Sequence, residues 1–190
     1  MEQKRILLAS PRGFCAGVAR AVAAVEETLR ICGAPVYVKH EIVHNRHVVA
    51  DLERKGAITI EMLSEAPEGS VVVFSAHGSP RAHYEEARER KVTLIDATCP
   101  LVTKVHLELL RYLKEGYRVL YIGHRGHIEG VGVLGEAPDE EIPIIETVSD
   151  VDRLDLGNPE KLVYLTQTTL SIDETADIIA ALKGKYPQIS

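Results

Sequence analysis

Two cysteines occupy matching places, each where a predicted strand passes into a predicted helix. Cys99 follows the β-branched run 92–95 and stands directly before a proline, which suits the first turn of a helix. Cys15 follows residues 4–9, predicted to form a strand, and precedes an alanine-rich helix predicted over 16–31. Backbone N–H groups and the positive end of a helix dipole favour a thiolate, the form that acts as nucleophile or metal ligand. The matched contexts favour a site over two small buried residues.

Other residues capable of chemistry also follow predicted strands. The full set is Cys15, His44, His77, Cys99, His127, Glu129 and Thr168. Because open parallel α/β sheets bind ligands at the carboxyl ends of their strands, we expect this set to line one crevice. Imidazoles beside helix N-termini, with a threonine, suit a phosphate or diphosphate. Glu129 lies in a predicted loop over 123–130, where it is either a proton donor or an ordinary solvated carboxylate.

Zinc held by Cys15, Cys99 and histidines is an alternative, although the spacings match no zinc-finger or zinc-ribbon pattern. The third cysteine, Cys32, is predicted to pack at the end of the first helix, without a function. Ordinary surface or core positions are predicted for the remaining histidines, which are His40, His47, His83, His106 and His124.

Composition excludes several classes of function. The 190 residues carry a net charge of −6, no tryptophan and only 5% aromatic residues, which argues against nucleic-acid binding and base stacking. No apolar run is long enough to span a membrane, and no signal peptide is evident, so we expect a cytoplasmic protein without a membrane partner. Three cysteines without CxxC spacing indicate metal or redox use rather than structural disulfides.

The order strand, loop, helix recurs along the chain and predicts an α/β fold with mainly parallel sheets. Two similar three-layer α/β domains are predicted, over 1–97 and 98–190. After the segment at 4–9, strands are predicted at 36–38, 57–60, 71–74, 92–95, 118–122, 142–145 and 162–165. Helices are predicted at 16–31, 48–55, 81–90, 104–115, 150–154 and 171–183.

Six ordered motifs, spread over essentially the whole chain, resemble the 4-hydroxy-3-methylbut-2-enyl diphosphate reductase family of the non-mevalonate isoprenoid pathway. They lie at 11–18, 40–45, 74–78, 96–104, 123–129 and 166–171. The sequence departs from the family pattern at Ile128, where a proline is common, and at Gly130, where a larger apolar residue is usual. Both differences change backbone stiffness rather than chemistry.

The resemblance implies three α/β lobes in a trefoil around a [4Fe–4S] cluster, with one cysteine ligand from each lobe. Cys15 and Cys99 match two of these ligands. His44, His77 and His127 match residues that hold the substrate diphosphate, Thr168 a substrate contact, and Glu129 the proton donor.

The implied reaction removes an allylic hydroxyl from the substrate with two electrons and two protons. It yields isopentenyl and dimethylallyl diphosphates, and a ferredoxin or flavodoxin supplies the electrons. The third lobe and its cysteine are absent from the 190 residues, so we expect this chain alone to be inactive unless another polypeptide completes it. The alternatives are a non-catalytic diphosphate-binding protein with the same two domains and a zinc-dependent hydrolase that uses Cys15 and Cys99.

Overall fold

The computed structural model of the chain describes residues 5–190. Its strands are β1 (Val36–Lys39), β2 (Ala57–Ile60), β3 (Val71–Phe74), β4 (Thr93–Asp96), β5 (Arg118–Ile122), β6 (Ile144–Ile145) and β7 (Leu162–Thr166). Its α-helices are α1 (Ala16–Cys32), α2 (Arg46–Arg54), α3 (Arg81–Glu89), α4 (Pro100–Lys114), α5 (Ile128–Leu134), α6 (Val148–Arg153) and α7 (Ile172–Lys185). A single 3₁₀ turn covers Leu63–Glu65.

The strands form two sheets, both of which are parallel at every pairing. The first has the order β2-β1-β3-β4, and the second has the order β6-β5-β7. Parallel neighbours need a crossover connection, which the helices between successive strands provide. The predicted α/β class with parallel sheets is therefore confirmed. The first sheet ends at Asp96 and the second begins at Arg118, while the domain boundary at 97/98 and the third lobe stay predictions.

Apolar faces of the helices fix the layers. Ala21 and Val25 of α1 are fully buried and pack with Val36, Val38 and Val73 of the first sheet. On the other sheet, residues of α4 and of β5 and β7 share one apolar cluster, in which the helix contributes Val105 and Leu109. The helix that follows Cys99 therefore packs on the second sheet, although its preceding strand belongs to the first.

The prediction of a strand at 4–9 is wrong within the described residues. Lys4 lies outside them, and residues 5–9 take part in no strand pairing. Ile6, Leu7 and Leu8 are at least 70% exposed. Although such apolar residues favour a strand, these three have no neighbouring strand to pair with and no surface to pack against.

The region predicted as a loop over 123–130 contains the start of a helix. Helix α5 covers Ile128–Leu134, and His127 caps its N-terminus. Gly130 and Gly132 both disfavour an isolated helix, which is why the sequence pattern concealed it. Tertiary contact stabilises it instead, because Glu129, Gly130, Gly132 and Val133 are buried. Across residues 5–190, none of the helices has the length and apolar character needed to cross a membrane.

Candidate functional site

Five of the seven residues singled out by the sequence follow strands, whereas Cys15 follows no strand in the described residues and Glu129 lies within α5. His44 follows β1, His77 follows β3, and Cys99 follows β4. From the second sheet come His127, after β5, and Thr168, after β7. Cys15 caps the N-terminus of α1, where its sulfur accepts a weak hydrogen bond from the backbone N–H of Val18 at 3.5 Å.

A cleft of about 380 Å³ lies between these loops. Its walls include Phe14, Cys15, Gly17, Val18, Val43, His44, Asn45, Ala76, His77, Cys99, Leu101, Thr168 and Thr169. A hollow of about 400 Å³ shares His44 and His77 with this cleft and adds His40, Glu41, Glu61, Gly126, His127 and Ile128. The structure thus brings residues of both sheets to one place, with histidines on one side and thiols on the other.

Three histidine rings from three different loops meet at the rim of the cleft. The ring centroids of His44 and His77 are 4.1 Å apart, those of His44 and His127 are 5.3 Å apart, and those of His77 and His127 are 6.2 Å apart. Hydrogen bonds between loops hold this arrangement, since the Ala76 N–H donates to the Ile42 carbonyl at 3.1 Å. Such a cluster presents several N–H donors to one small ligand.

Burial and neighbouring histidines lower the pKa values of two of these rings, those of His77 and His127. His77 is buried, and its burial together with the nearby His44 and His127 lowers its pKa to about 4. Burial, followed by His44, also lowers the pKa of His127. The Nδ1 atom of His127 accepts from the Glu129 N–H at 3.1 Å, so its proton is on Nε2. Neutral rings of this kind can gain a proton when an anion binds.

Both thiols lie close to Gly17. A Cβ atom at Gly17 would lie only 2.6 Å from the Cys99 sulfur and 3.8 Å from the Cys15 sulfur. Glycine at this position therefore leaves free a space that both sulfurs border. Cys99 is partly exposed and Cys15 exposed, so both thiols are accessible from the cleft.

Asp96 holds the loop that carries Cys99. One carboxylate oxygen accepts from the backbone N–H of Thr98 at 2.9 Å and from its hydroxyl, and the other accepts from the Tyr84 hydroxyl at 2.9 Å. The Cys99 N–H donates to the Ala76 carbonyl at 3.0 Å, which joins this loop to the one that carries His77. The sequence indicated Asp96 only as a turn-forming residue at the start of the motif at 96–104, because only the fold shows what its carboxylate contacts.

Glu129 is buried, contrary to the alternative of a solvated carboxylate. It is 1% exposed, and its two carboxylate oxygens accept from Thr168, one from the backbone N–H at 2.6 Å and one from the hydroxyl at 2.8 Å. Burial raises the pKa of Glu129, and the hydrogen bonds from Thr168 oppose that rise. A buried carboxyl with a raised pKa beside a hydroxyl that lines the cleft can hold and release a proton.

Two further residues position the site and were missed by sequence reasoning. The buried side chain of Gln167 accepts from the His124 N–H at 3.0 Å and donates to the Thr169 hydroxyl at 2.7 Å, which links the loops after β5 and β7. The Ser75 hydroxyl lies 3.2 Å from His77 Nδ1. Ser75 lies within the motif at 74–78 and Gln167 within the motif at 166–171, and this membership was the available signal.

The remaining histidines and cysteine lie apart from the thiols. Cys32 is the last residue of α1 and is exposed, so the prediction that it packs there is wrong. His47 is exposed on α2. His40 differs from the predicted ordinary surface or core position, because it lines the hollow beside His44. Its ring also bridges Lys39 and Glu61, at 2.7 Å from each. Within residues 5–190, no three His, Cys, Asp or Glu side chains are arranged to hold a metal ion.

Comparison with known proteins settles the family. The family model described as LytB protein matches residues 6–190. The chain belongs to the LytB family. Its relatives include the 4-hydroxy-3-methylbut-2-enyl diphosphate reductase of Streptomyces coelicolor, 55% identical over 98% of this chain and 55% of that protein. The protein of the same name from Chlamydia trachomatis serovar L2b is 56% identical over 98% of this chain and 60% of that one.

Solved LytB structures share the fold. The E-1-hydroxy-2-methyl-but-2-enyl-4-diphosphate reductase of Plasmodium falciparum superimposes with a TM-score of 0.91 at 48% identity, covering 95% of this chain and 57% of that one. A second structure, described as (E)-4-hydroxy-3-methyl-but-2-enyl diphosphate reductase, gives a TM-score of 0.83 at 30% identity and covers 66% of that chain. The chain thus spans a little over half the length of the curated relatives it matches.

Proposed function

We propose that these residues form the diphosphate-binding and proton-donating part of a 4-hydroxy-3-methylbut-2-enyl diphosphate reductase. The observation that carries the proposal is the meeting of His44, His77 and His127, with centroids no more than 6.2 Å apart, at the rim of a cleft lined by Cys15 and Cys99. The reductases among the relatives support the choice of substrate. The reaction takes up two electrons and two protons, breaks the allylic C–O bond, and releases water and isopentenyl or dimethylallyl diphosphate.

The thiolates of Cys15 and Cys99 would hold a [4Fe–4S] cluster. Both sulfurs lie next to the space left free by Gly17, and both stand at helix N-termini, where the dipole favours a thiolate. When bound, the cluster supplies electrons one at a time and polarises the substrate hydroxyl. Two thiolates are fewer than such a cluster needs. A further domain, in the same or a separate polypeptide, would supply the third thiolate. A ferredoxin or flavodoxin would supply the electrons.

The histidine cluster would bind the diphosphate. A neutral His77 avoids repulsion within the cluster, and a bound anion offsets the burial that keeps this ring neutral. Binding therefore raises the pKa of His77, and the complex takes up a proton at any pH between the free value, about 4, and the raised value. The exposed His44 offers the anion its first contact from solvent.

Thr168 would pass the proton from Glu129 to the departing hydroxyl. While Glu129 is ionised, the Thr168 hydroxyl donates to it at 2.8 Å. Once Glu129 is protonated, its own O–H donates to the Thr168 oxygen, and the threonine hydrogen is free to turn into the cleft that Thr168 lines. The burial that raises the pKa of Glu129 favours this protonated state.

Inorganic diphosphate tests the histidine cluster on the 190-residue chain itself. We expect calorimetry to show binding, with affinity that rises as the pH falls from 8 to 6 and with proton uptake in buffers of different ionisation enthalpy. His127→Ala should weaken binding by about 10–100-fold, the cost of a lost hydrogen bond to a charged group. The exposed His47 provides the control, since His47→Ala should bind like the parent. No measurable binding by the parent, or equal binding by His127→Ala, would refute this role.

Turnover separates the reductase from a non-catalytic diphosphate-binding protein. The suitable protein is a hybrid enzyme in which these residues are joined to the C-terminal remainder of the Streptomyces coelicolor relative, which is 55% identical over the shared part. The reductase proposal expects the hybrid enzyme to convert the allylic diphosphate after anaerobic iron–sulfur reconstitution. Diphosphate binding without turnover would favour the non-catalytic alternative.

A further inference from the structure

A close contact between the two sheets lies directly behind the histidines and Glu129. Gly132 of α5 approaches the loop after β3 so closely that an added Cβ would lie 3.3 Å from the Gly78 carbonyl carbon and 3.4 Å from the Ser79 nitrogen. Gly78 follows His77 in sequence, and Gly132 stands one helical turn after Glu129. The contact between the two glycines therefore joins the loop that carries His77 to the helix that carries Glu129.

His106 also packs closely against Gly78. Its Nε2 atom would lie 2.8 Å from a Cβ added at Gly78, and Val102, on the same helix α4, would lie 3.1 Å from it. The His106 Nδ1 atom is 2.8 Å from the Glu136 carboxylate, just after α5. A buried ring fixed in this way leaves the 78–79 backbone no space to retreat, because protein interiors are closely packed.

The hydrogen bonding of His106 fixes its ring. Nδ1 faces a carboxylate and so carries the proton, while Nε2 is buried and has no hydrogen-bond partner among the described residues. Glu136 therefore supplies the one polar interaction that sets the ring's orientation. The side chain of Glu136 is only 16% exposed, so the His106–Glu136 pair is shielded from solvent more than a surface ion pair would be.

We propose that this contact, formed by Gly78, Ser79, His106, Gly132 and Glu136 and here named the inter-sheet joint, sets the separation between His77 and His127. Gly132 and His106 are then positioning residues, which touch no substrate. The inference rests on the proposed diphosphate role of the histidines. A ligand that bridges rings from two sheets is held well only at one separation, and a shift of a fraction of an ångström misplaces its donors.

Gly132→Ala tests the joint without removing any functional group. The added methyl meets backbone that His106 holds in place, so we expect α5 to move away from the loop after β3. The affinity of the 190-residue chain for inorganic diphosphate should fall at least fivefold, with the melting temperature within about 2–4 °C of the parent, because alanine also favours the helix. Gly184→Ala, in α7 with nothing within 4 Å of the added methyl, is the matched control and should bind like the parent.

Two further measurements separate this inference from the proposed function. Glu136→Gln keeps an acceptor for His106 and should bind diphosphate like the parent, whereas Glu136→Ala should lose affinity as Gly132→Ala does. A crystal structure of Gly132→Ala should show the His77 and His127 centroids more than 6.2 Å apart. If the parent fails to bind diphosphate, the proposed function is wrong. The crystal structure then still shows whether the inter-sheet joint sets the separation between His77 and His127. Unchanged separation, or unchanged affinity in a parent that binds, overturns the joint.

Discussion

Glu129→Gln in the hybrid enzyme is expected to lose about 10²–10⁴-fold in turnover, the range that a positioned general acid contributes. Glutamine keeps the size of the side chain and can still pair with Thr168, its oxygen accepting from the backbone N–H and its amide donating to the hydroxyl. It has no carboxyl proton to deliver. Inorganic diphosphate should bind with the parent's affinity, because the histidine rings are unchanged.

The stability of the same variant should move in the opposite direction. Burial raises the pKa of Glu129, so the folded protein binds the proton more tightly than the unfolded chain does. The ionised carboxylate therefore costs stability at pH 7, and this cost disappears as the pH falls through the raised pKa. Glutamine carries no such cost. Urea unfolding at pH 7 should give the variant a free energy of unfolding at least equal to the parent's, with a smaller difference at a pH near the ordinary glutamate pKa, about 4.3.

Glu89→Gln makes the same change of charge at an exposed position of α3 and serves as the control. Its turnover and its unfolding at both pH values should match the parent's. If Glu129→Gln retains turnover within a few-fold of the parent, Glu129 serves packing and hydrogen bonding rather than proton transfer. A large loss of diphosphate affinity in this variant would also contradict the assignment, because it would place Glu129 in the binding of the anion.

The elements that local sequence specifies were predicted from it closely. Val71–Phe74 is apolar throughout and forms β3, while Ser171 with Glu174 caps α7 as a capping box. These signals are contained in a few adjacent residues. The predicted parallel α/β class followed from their order along the chain, and both sheets have it.

What the sequence could not predict depends on contacts between distant segments. Residues 5–9 have the pattern of a strand, but a strand exists only where a neighbour pairs with it, and these residues have none in the described structure. Helix α5 is the reverse case, a helix that the local sequence does not predict. Its glycines disfavour a helix locally, yet they permit its close approach to Gly78 and Tyr121. The strand-end rule predicted that the histidines and Cys99 lie near one another. The position of Cys15, which follows no strand in the described residues, and the burial of Glu129 required the fold.

Cys15→Ser and Cys99→Ser in the hybrid enzyme are each expected to remove most of the iron and, with it, the turnover. A serine hydroxyl is a poor ligand for an iron–sulfur cluster, which is held by thiolates. The loss should exceed the roughly 10–100-fold that removal of an outer-shell partner costs a metal site. Iron and sulfide analysis, with the absorbance near 400 nm after anaerobic reconstitution, measures it. Circular dichroism should stay that of the parent, since neither cysteine is buried in an apolar cluster.

Cys32→Ser is the matched control, because it makes the same chemical change at the last residue of α1, the end remote from Cys15. Its iron content should equal the parent's, and loss of iron in a folded Cys32→Ser protein would show that the cysteines have been assigned wrongly. The 190-residue chain reconstituted alone completes the test. It offers only two thiolates at the cleft, so we expect little stable cluster and no turnover, both of which the hybrid enzyme should recover. A stoichiometric, active cluster in the chain alone would show that two thiolates suffice and that no further domain is needed.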